Sequence, residues 1–441
     1  MGRWVVGWVG LLAVAAACGA ADRPNVLLIV GDDMGFADVG FHGCKDIPTP
    51  HLDRLARRGV RFTSGYVSGP YCSPTRAGLL TGRYQTRFGH EVNPPAGRGV
   101  GLPPAETTLA DRMRAAGYAT GLVGKWHLGS GPRYHPRRRG FDEFFGFLGG
   151  AHDYFRAGTK NDPVLRDTTP INETAYLTDA FGREALAFLD RHKTDPFFLY
   201  LAFNAVHTPL QADDTRLARF AALTDRRRRT YAAMMTAMDD AIGKVLDRLA
   251  VDRRLDNTLI AFLSDNGGPT MAGTTINGSI NTPLRGSKRT TLEGGIRVPF
   301  LLAWPGRLPA GKVYDAPVIQ LDLVPTVLAA AGVSVKAEWK LDGVDLLPYL
   351  TGKAAGVPHD ALFWRFGRQM AIRKGDWKLV RYDLAADGEK GASAAKLYRL
   401  SDDVGEATDL AAKHPETVKE LQAAWERWDR GNVAPLWGAK K

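Results

Sequence analysis

Cysteine is scarce: the 441 residues carry three, Cys18, Cys44 and Cys72. That excludes a small disulfide-framed scaffold, which needs several paired cysteines in a short chain. Long apolar runs are equally scarce. One stands out, at residues 4–17, and it falls short of the ~20 residues that a membrane-spanning helix needs. A multi-pass membrane protein is therefore excluded, and no transmembrane helix is expected. No internal repeat is present. Charged residues make up 24% and hydrophobic residues 44%, which separates the chain from disordered, collagenous and coiled-coil sequences. Acid is in deficit: Asp plus Glu number 47 against 58 Lys plus Arg, a formal charge of +11. Such a surplus fits nucleic acid or an anionic substrate. The motifs below favour the anionic substrate and no nucleic acid.

Residues 1–20 combine a basic start at Arg3, the short apolar run, and small residues through Ala15-Ala16-Ala17-Cys18-Gly19-Ala20. These are the parts of a cleaved secretory signal. The expectation is an exported, periplasmic or extracellular protein that starts near Ala21 or Asp22. Cys18 follows three alanines and weakly matches a lipoprotein box, so lipid attachment there stays open. Cys44 and Cys72 remain. Either they pair, or one is kept for its chemistry.

Four segments share one pattern, an apolar run that ends in reactive polar residues. Residues 25–30 lead into Gly31-Asp32-Asp33, and residues 118–123 into Gly124-Lys125-Trp126-His127. Residues 196–203 lead into Asn204 and His207, and residues 258–263 into Ser264-Asp265-Asn266. Continuous apolar runs of this length predict strands buried on both faces, as in a parallel sheet. Helical spacing over residues 106–116 and 231–249 lies between them, which predicts an α/β fold with helices on both sides. Ligands of such sheets bind at the carboxyl ends of strands, so residues 32 to 266 converge on one site. Beyond residue 335 the character changes. Residues 369–382 predict two strands around a Lys374-Gly375 turn, residues 396–400 a third, and residues 416–428 a closing helix. The expected organisation is a signal at 1–20, a catalytic domain at 21–335 and a small α+β subdomain at 336–441.

Asp32, Asp33, Asp265 and Asn266 are hard oxygen donors, suited to Ca²⁺ or Mg²⁺ rather than Zn²⁺; turn chemistry is the competing explanation. Cys72 precedes Ser73, a good N-cap, and Pro74, a good first helical residue. This places Cys72 at a helix start that favours an anion, with Arg76 on the same turn.

The segment Cys72-Ser73-Pro74-Thr75-Arg76, with Leu79 and Thr81-Gly82-Arg83, resembles the signature of the type I sulfatases. The resemblance extends along nearly the whole mature chain. It takes in Gly124-Lys125-Trp126-His127-Leu128-Gly129, residues 204–209 and 264–268, Arg285-Gly286-Ser287-Lys288, residues 293–299 and Gly375-Asp376-Trp377-Lys378-Leu379. It implies an alkaline-phosphatase-like sandwich, with a large mainly parallel sheet and a small C-terminal antiparallel sheet with a helix. It also implies a sulfuric ester hydrolase, acting on a sulfated carbohydrate of galactose or N-acetylgalactosamine type. Cys72 would be oxidised to formylglycine by a maturation enzyme, and its hydrate would be the nucleophile. Asp32, Asp33, Asp265 and Asn266, together with residue 72, would hold Ca²⁺, with Mg²⁺ open. Arg76 would steady residue 72, and Lys125, His207 and Lys288 would contact the sulfate. His207 or Lys288 would protonate the leaving oxygen, and His127 would act as base on the second hydroxyl. The loop at residues 140–154 resembles the substrate side of galactose-type sulfatases, which assigns His152 and Asp153 to the sugar.

Several features stay open. The Arg226–Arg229 run is a solvated helix start or a docking patch for a sulfated polymer, and Arg137–Arg139 reads similarly. Asn172 and Asn277 head glycosylation sequons. Trp364 and Arg365 are candidates to lend side chains to the pocket. Two other functions compete: a phosphonate or phosphodiester hydrolase on the same scaffold, and a non-catalytic binder of anionic glycans.

Overall fold

Strands that are apolar on both faces need cover on both sides, and the main sheet has it. The computed structural model describes residues 23–438 apart from 96, 98, 157, 160 and 161, with no account of the side chains of 158 and 159. The expected signal segment and Cys18 lie outside the described residues. Among the described residues no helix is long and apolar enough to cross a membrane.

Five strands form the parallel centre, in the order Thr258–Ser264, Asn25–Gly31, Phe197–Ala202, Ala119–Lys125 and Glu143–Phe147. Beyond Thr258–Ser264 lie Phe300–Ala303 and Val60–Phe62, each antiparallel to its inner neighbour, and then Lys312–Tyr314. Short antiparallel strands Leu165–Arg166 and Thr169–Pro170 close the other edge, making ten strands. Four of the central five are the predicted apolar runs. Glu143–Phe147, expected as part of a substrate loop, is a strand instead, because Phe144, Phe145 and Phe147 are all buried against its neighbours.

Alternate residues of each strand point to opposite faces. Leu27, Ile29, Leu199, Leu201, Ile260 and Phe262 meet the helices Leu177–Arg191 and Arg226–Val251. Val26, Leu28, Val30, Phe198, Tyr200 and Leu263 meet Cys72–Thr81, Leu109–Ala115 and Leu323–Ala330. The helix expected at residues 106–116 starts later, at Leu109, because Thr108 and Asp111 form a capping box; Glu106 instead receives Arg83.

The C-terminal sheet has four antiparallel strands, Leu362–Phe366, Gln369–Lys374, Trp377–Arg381 and Lys396–Arg399. Helix Pro415–Asp429 covers one face through Val418, Leu421 and Trp425. The other face meets Tyr66 of the strand Gly65–Tyr66, and Leu292 and Ile296 at the short helix Glu293–Ile296. A fully buried ammonium joins the two: Lys378 Nζ lies 2.8 Å from Glu293 Oε1 and 2.8 Å from Glu406 Oε1. Trp364 and Arg365 do not line the pocket. Trp364 donates its indole N–H to the Val67 carbonyl, and Arg365 pairs with Glu91 and Asp429. Both roles are structural, because each side chain is buried against a fixed partner.

Removing one partner of a buried ion cluster leaves uncompensated charge, a loss of about 3–5 kcal/mol. Lys378→Met should therefore lower unfolding stability by that amount in urea titrations. A change below 1 kcal/mol would show that the Lys378 cluster contributes little to holding the C-terminal sheet in place.

Candidate active site

The carboxyl ends of four central strands deliver the site. Asp32 and Asp33 follow Asn25–Gly31, Asp265 and Asn266 follow Thr258–Ser264, and His207 follows Phe197–Ala202. Lys125 ends its strand and His127 lies two residues on. Backbone bonds lock these tips together: Asp32 N to Ala205 O, Val206 N to Asp32 O and Asp265 N to Gly31 O. Asp33 (φ 63°) and His127 (φ 57°) both sit in the left-handed region, a cost of roughly 1–3 kcal/mol each that the surroundings must impose.

Helix Cys72–Thr81 aims its first residue at these tips. Cys72 Sγ lies 3.8 Å from Asp32 Oδ1. Donor atoms of Asp32, Asp33, Cys72 and His207 all fall within 4.8 Å of one another. Lys125 Nζ reaches Asp32 Oδ2 at 2.5 Å, and Lys288 Nζ reaches Asp33 Oδ1 at 2.7 Å. Arg76 grips Asp265 Oδ2 through Nε at 3.0 Å and Nη2 at 2.9 Å, and donates to the Lys125 carbonyl. His207 Nε2 is 3.6 Å from Asp33 Oδ2. Every one of these side chains is buried. The resulting cage holds three carboxylates, three fixed cations and two imidazoles.

The donor set fits a hard divalent cation. Asn266 supports this most directly. Its Nδ2 donates to Asp33 Oδ1 at 2.7 Å, but its buried Oδ1 has no hydrogen-bond partner. A buried unsatisfied acceptor costs about 1–3 kcal/mol, and a metal ion beside it removes that cost. Turn chemistry does not explain an amide oxygen left in this position.

Burial governs the protonation states. It pushes the Cys72 thiol up to about 12, so a plain thiol here is a poor nucleophile at neutral pH. Burial, with Asp265 nearby, raises Asp32 to about 8. Burial also pushes Asp33 up, but the Lys288 ammonium and His207 outweigh it and hold that carboxyl well below its usual range. His207 falls to about 4 through burial. His127 falls well below its usual value through burial and the Lys125 and Arg76 charges, so its imidazole is neutral, and its buried Nδ1 has no hydrogen-bond partner among the described residues.

His152 and Asp153 sit beside this cage. His152 Nδ1 is 2.7 Å from the Asp153 carbonyl, and its ring lies against Phe147. The Asp153 carboxylate accepts from Phe155 N and Gln211 Nε2. The loop touches the site at Gly150, where a Cβ would stand 2.5 Å from His127 Nε2.

Ser73 is not the N-cap. Tyr71 holds that position, and Ser73 Oγ instead donates to the His127 carbonyl at 2.6 Å and meets His90 Nε2 at 2.6 Å. Neither His90 nor Asn93, which accepts from Ser73 N, is singled out by the sequence. Tyr154 was likewise unassigned, yet its hydroxyl lies 2.6 Å from the Asn204 carbonyl and 2.9 Å from that of His207. Asn277 is no glycan acceptor: it is fully buried and donates to the carbonyls of Asp33 and Val206. These loop residues carry no local signal. Among the arginine runs, Arg139 is buried on the carbonyls of Leu102 and Glu106.

A sheet that gathers acid pairs, a helix-start cysteine and fixed cations in one buried cage defines a hydrolase for anionic esters. The Sulfatase family model matches residues 24–333, and that of "N-sulphoglucosamine sulphohydrolase, C-terminal" matches residues 286–428. The N-acetylgalactosamine-6-sulfatase of Homo sapiens is 39% identical over 386 residues, covering 82% of this chain and 72% of that protein. Arylsulfatase A of Bos taurus is 35% identical over 466 residues, covering 94% and 89%. The crystal structure of Ps i-CgsB superposes with a TM-score of 0.88 at 39% identity, over 94% of each chain, and has also been solved with k-i-k-neocarrahexaose. The chain belongs to the sulfatase family and is a sulfuric ester hydrolase.

Asn266→Ala removes the unpartnered oxygen. Calorimetric titration of chelator-stripped protein with Ca²⁺ should show affinity falling roughly 10-fold or more. Unchanged affinity would place the ion elsewhere.

Proposed function

We propose that this sulfatase acts on sulfate monoesters of a galactose- or galactosamine-type carbohydrate, with residue 72 converted to formylglycine and a divalent cation, Ca²⁺ or Mg²⁺, in the cage. The observation that carries the reading is the position of Cys72, at a helix start, 3.8 Å from Asp32 and near Lys125, Lys288, Arg76 and His207. Converted, position 72 offers a gem-diol, one hydroxyl of which attacks sulfur while loss of a proton from the other later expels sulfate. The cation, held by Asp32, Asp33, Asp265 and Asn266, supplies positive charge for the sulfate oxygens.

The chain's own side chains do the rest. Lys125 and Lys288 leave their carboxylate partners for the sulfate oxygens, where fixed charge stabilises the transition state without late reorganisation. Lys288 gives a proton to the leaving sugar oxygen; His207 can do so only once the bound sulfate's negative charge has raised it from about 4. Neutral His127 takes the proton from the second hydroxyl. Arg76 stays on Asp265 and fixes the helix start. The named activities of the relatives, and the carrahexaose complex of Ps i-CgsB, support a galactose-type sugar, with His152 and Asp153 on the sugar side. Residues 1–20 support export, with lipid attachment at Cys18 open. The conversion of Cys72 calls for a maturation enzyme in the host.

Side-by-side assays of aryl sulfate, aryl phosphodiester and 4- and 6-sulfated galactose and N-acetylgalactosamine test the reading. Sulfate release should dominate, and Lys125→Ala should lower kcat by about 10²–10³ with circular dichroism unchanged. Faster phosphodiester cleavage would favour the rival hydrolase, and glycan retention without sulfate release would favour a binding protein.

A further inference from the structure

The run Arg226-Arg227-Arg228-Arg229 opens the helix Arg226–Val251. Arg228 is explained by the fold: it is buried and lies 2.6 Å from Asp38 and 2.7 Å from Asp46. Arg226 and Arg227 are not, and the Arg229 side chain has only one backbone partner among the described residues. Arg226 and Arg227 are exposed and form no ion pair among the described residues, while Arg229 donates to the Leu217 carbonyl. The neighbouring acid Asp225 is engaged as the N-cap, accepting from Arg228 N. Cations at a helix start also oppose the backbone dipole, at ~0.3–1 kcal/mol each.

Arg226, Arg227 and Arg229 line a groove of about 920 Å³ together with Phe155, Gln211 and, among the described residues, a single acid, Asp214. Phe155 is 43% exposed although its ring also meets Tyr176. Both walls of the groove begin at the candidate catalytic histidines. One wall is the loop that leaves Gly150, in contact with His127, and ends at Phe155. The other runs from His207 to Gln211, a reach of at most ~14 Å. The walls are tied together: Tyr154 N donates to Gln211 Oε1 at 2.8 Å, Gln211 Nε2 to Asp153 Oδ2 at 3.0 Å, and the Tyr154 hydroxyl to the His207 carbonyl at 2.9 Å. The groove is thus tied through Gln211 and Tyr154 to the backbone of His207.

We propose that this groove holds a neighbouring sulfated sugar of a polymeric substrate, with a sulfate ester on that unit pairing with Arg226, Arg227 and Arg229 while Phe155 covers a ring face. The inference rests on the sulfatase reading of the cage and adds the form of the substrate, a sulfated chain rather than a lone sugar. Guanidinium groups match the paired oxygens of a sulfate ester. An exposed aromatic face suits the apolar side of a sugar ring. Because Arg226 and Arg227 are exposed, salt weakens the contact.

The test compares wild type, the triple variant Arg226→Gln/Arg227→Gln/Arg229→Gln, and Phe155→Ala, with melting temperatures recorded to confirm folding. Each is assayed on a sulfated galactose monosaccharide and on a sulfated galactan hexasaccharide. The triple variant should raise KM for the hexasaccharide about tenfold or more. Its kcat and its monosaccharide kinetics should stay unchanged. Phe155→Ala should give a smaller rise in the same parameter. Raising NaCl should erode the wild-type advantage on the hexasaccharide and leave the triple variant flat. Equal changes on both substrates, or none on either, would overturn the proposal. If wild type releases sulfate from neither, the sulfatase reading fails, and electrophoresis through a galactan-containing gel decides the groove alone. Retardation of wild type but not of the triple variant upholds it; equal migration rejects it.

Discussion

Three carboxylates brought together in a dry site repel one another, and the architecture around Asp32, Asp33 and Asp265 answers that repulsion. Lys125, Lys288 and Arg76 each pair with one of them, and each comes from a different part of the chain. The strand ends, the Cys72 helix and the loop after Asn277 are all anchored to this charge cluster or to its backbone. Asn277 bonds the Asp33 carbonyl, Ser73 the His127 carbonyl, and Tyr154 the His207 carbonyl. The same cations that neutralise the acids are of the right sign for a sulfate ester. Under the proposed mechanism, structural balance and sulfate binding would use one set of side chains.

The small sheet supports this arrangement from behind. Lys378 binds Glu293 and Glu406 at once, and Glu293 also accepts from Tyr66. Glu293 opens the short helix five residues beyond Lys288, so the C-terminal sheet braces the segment that carries one of the cage cations. Asn432 meets Thr86 and Trp437 covers His90, which bears on Ser73 beside Cys72. Residues distant in sequence therefore fix the helix that carries residue 72.

Much of this was legible in the sequence because of parallel-sheet physics. Strands buried on both faces read as unbroken apolar runs, and the polar residues after them fall at one edge. That logic located residues 25–33, 118–127, 196–207 and 258–266. It missed Glu143–Phe147, where Glu143 and Gly146 interrupt the apolar run, and Leu362–Phe366, which Arg365 interrupts. Ser73 read as a cap because local chemistry favours it there; a tertiary bond to His127 took its hydroxyl instead. Arg228 is indistinguishable from its three neighbours in sequence, and only burial against Asp38 and Asp46 separates it. His90, Asn93, Tyr154 and Asn277 lie in loops with no periodicity, so their contacts exist only in three dimensions.

The central claim concerns the chemical identity of residue 72. Mass spectrometry of the tryptic peptide spanning residues 62–76, from active protein made in its own host, addresses it directly. The account predicts that Cys72 is present as formylglycine, with the thiol sulfur replaced by an aldehyde or its hydrate. An unmodified cysteine in fully active protein would contradict it and require a different nucleophile.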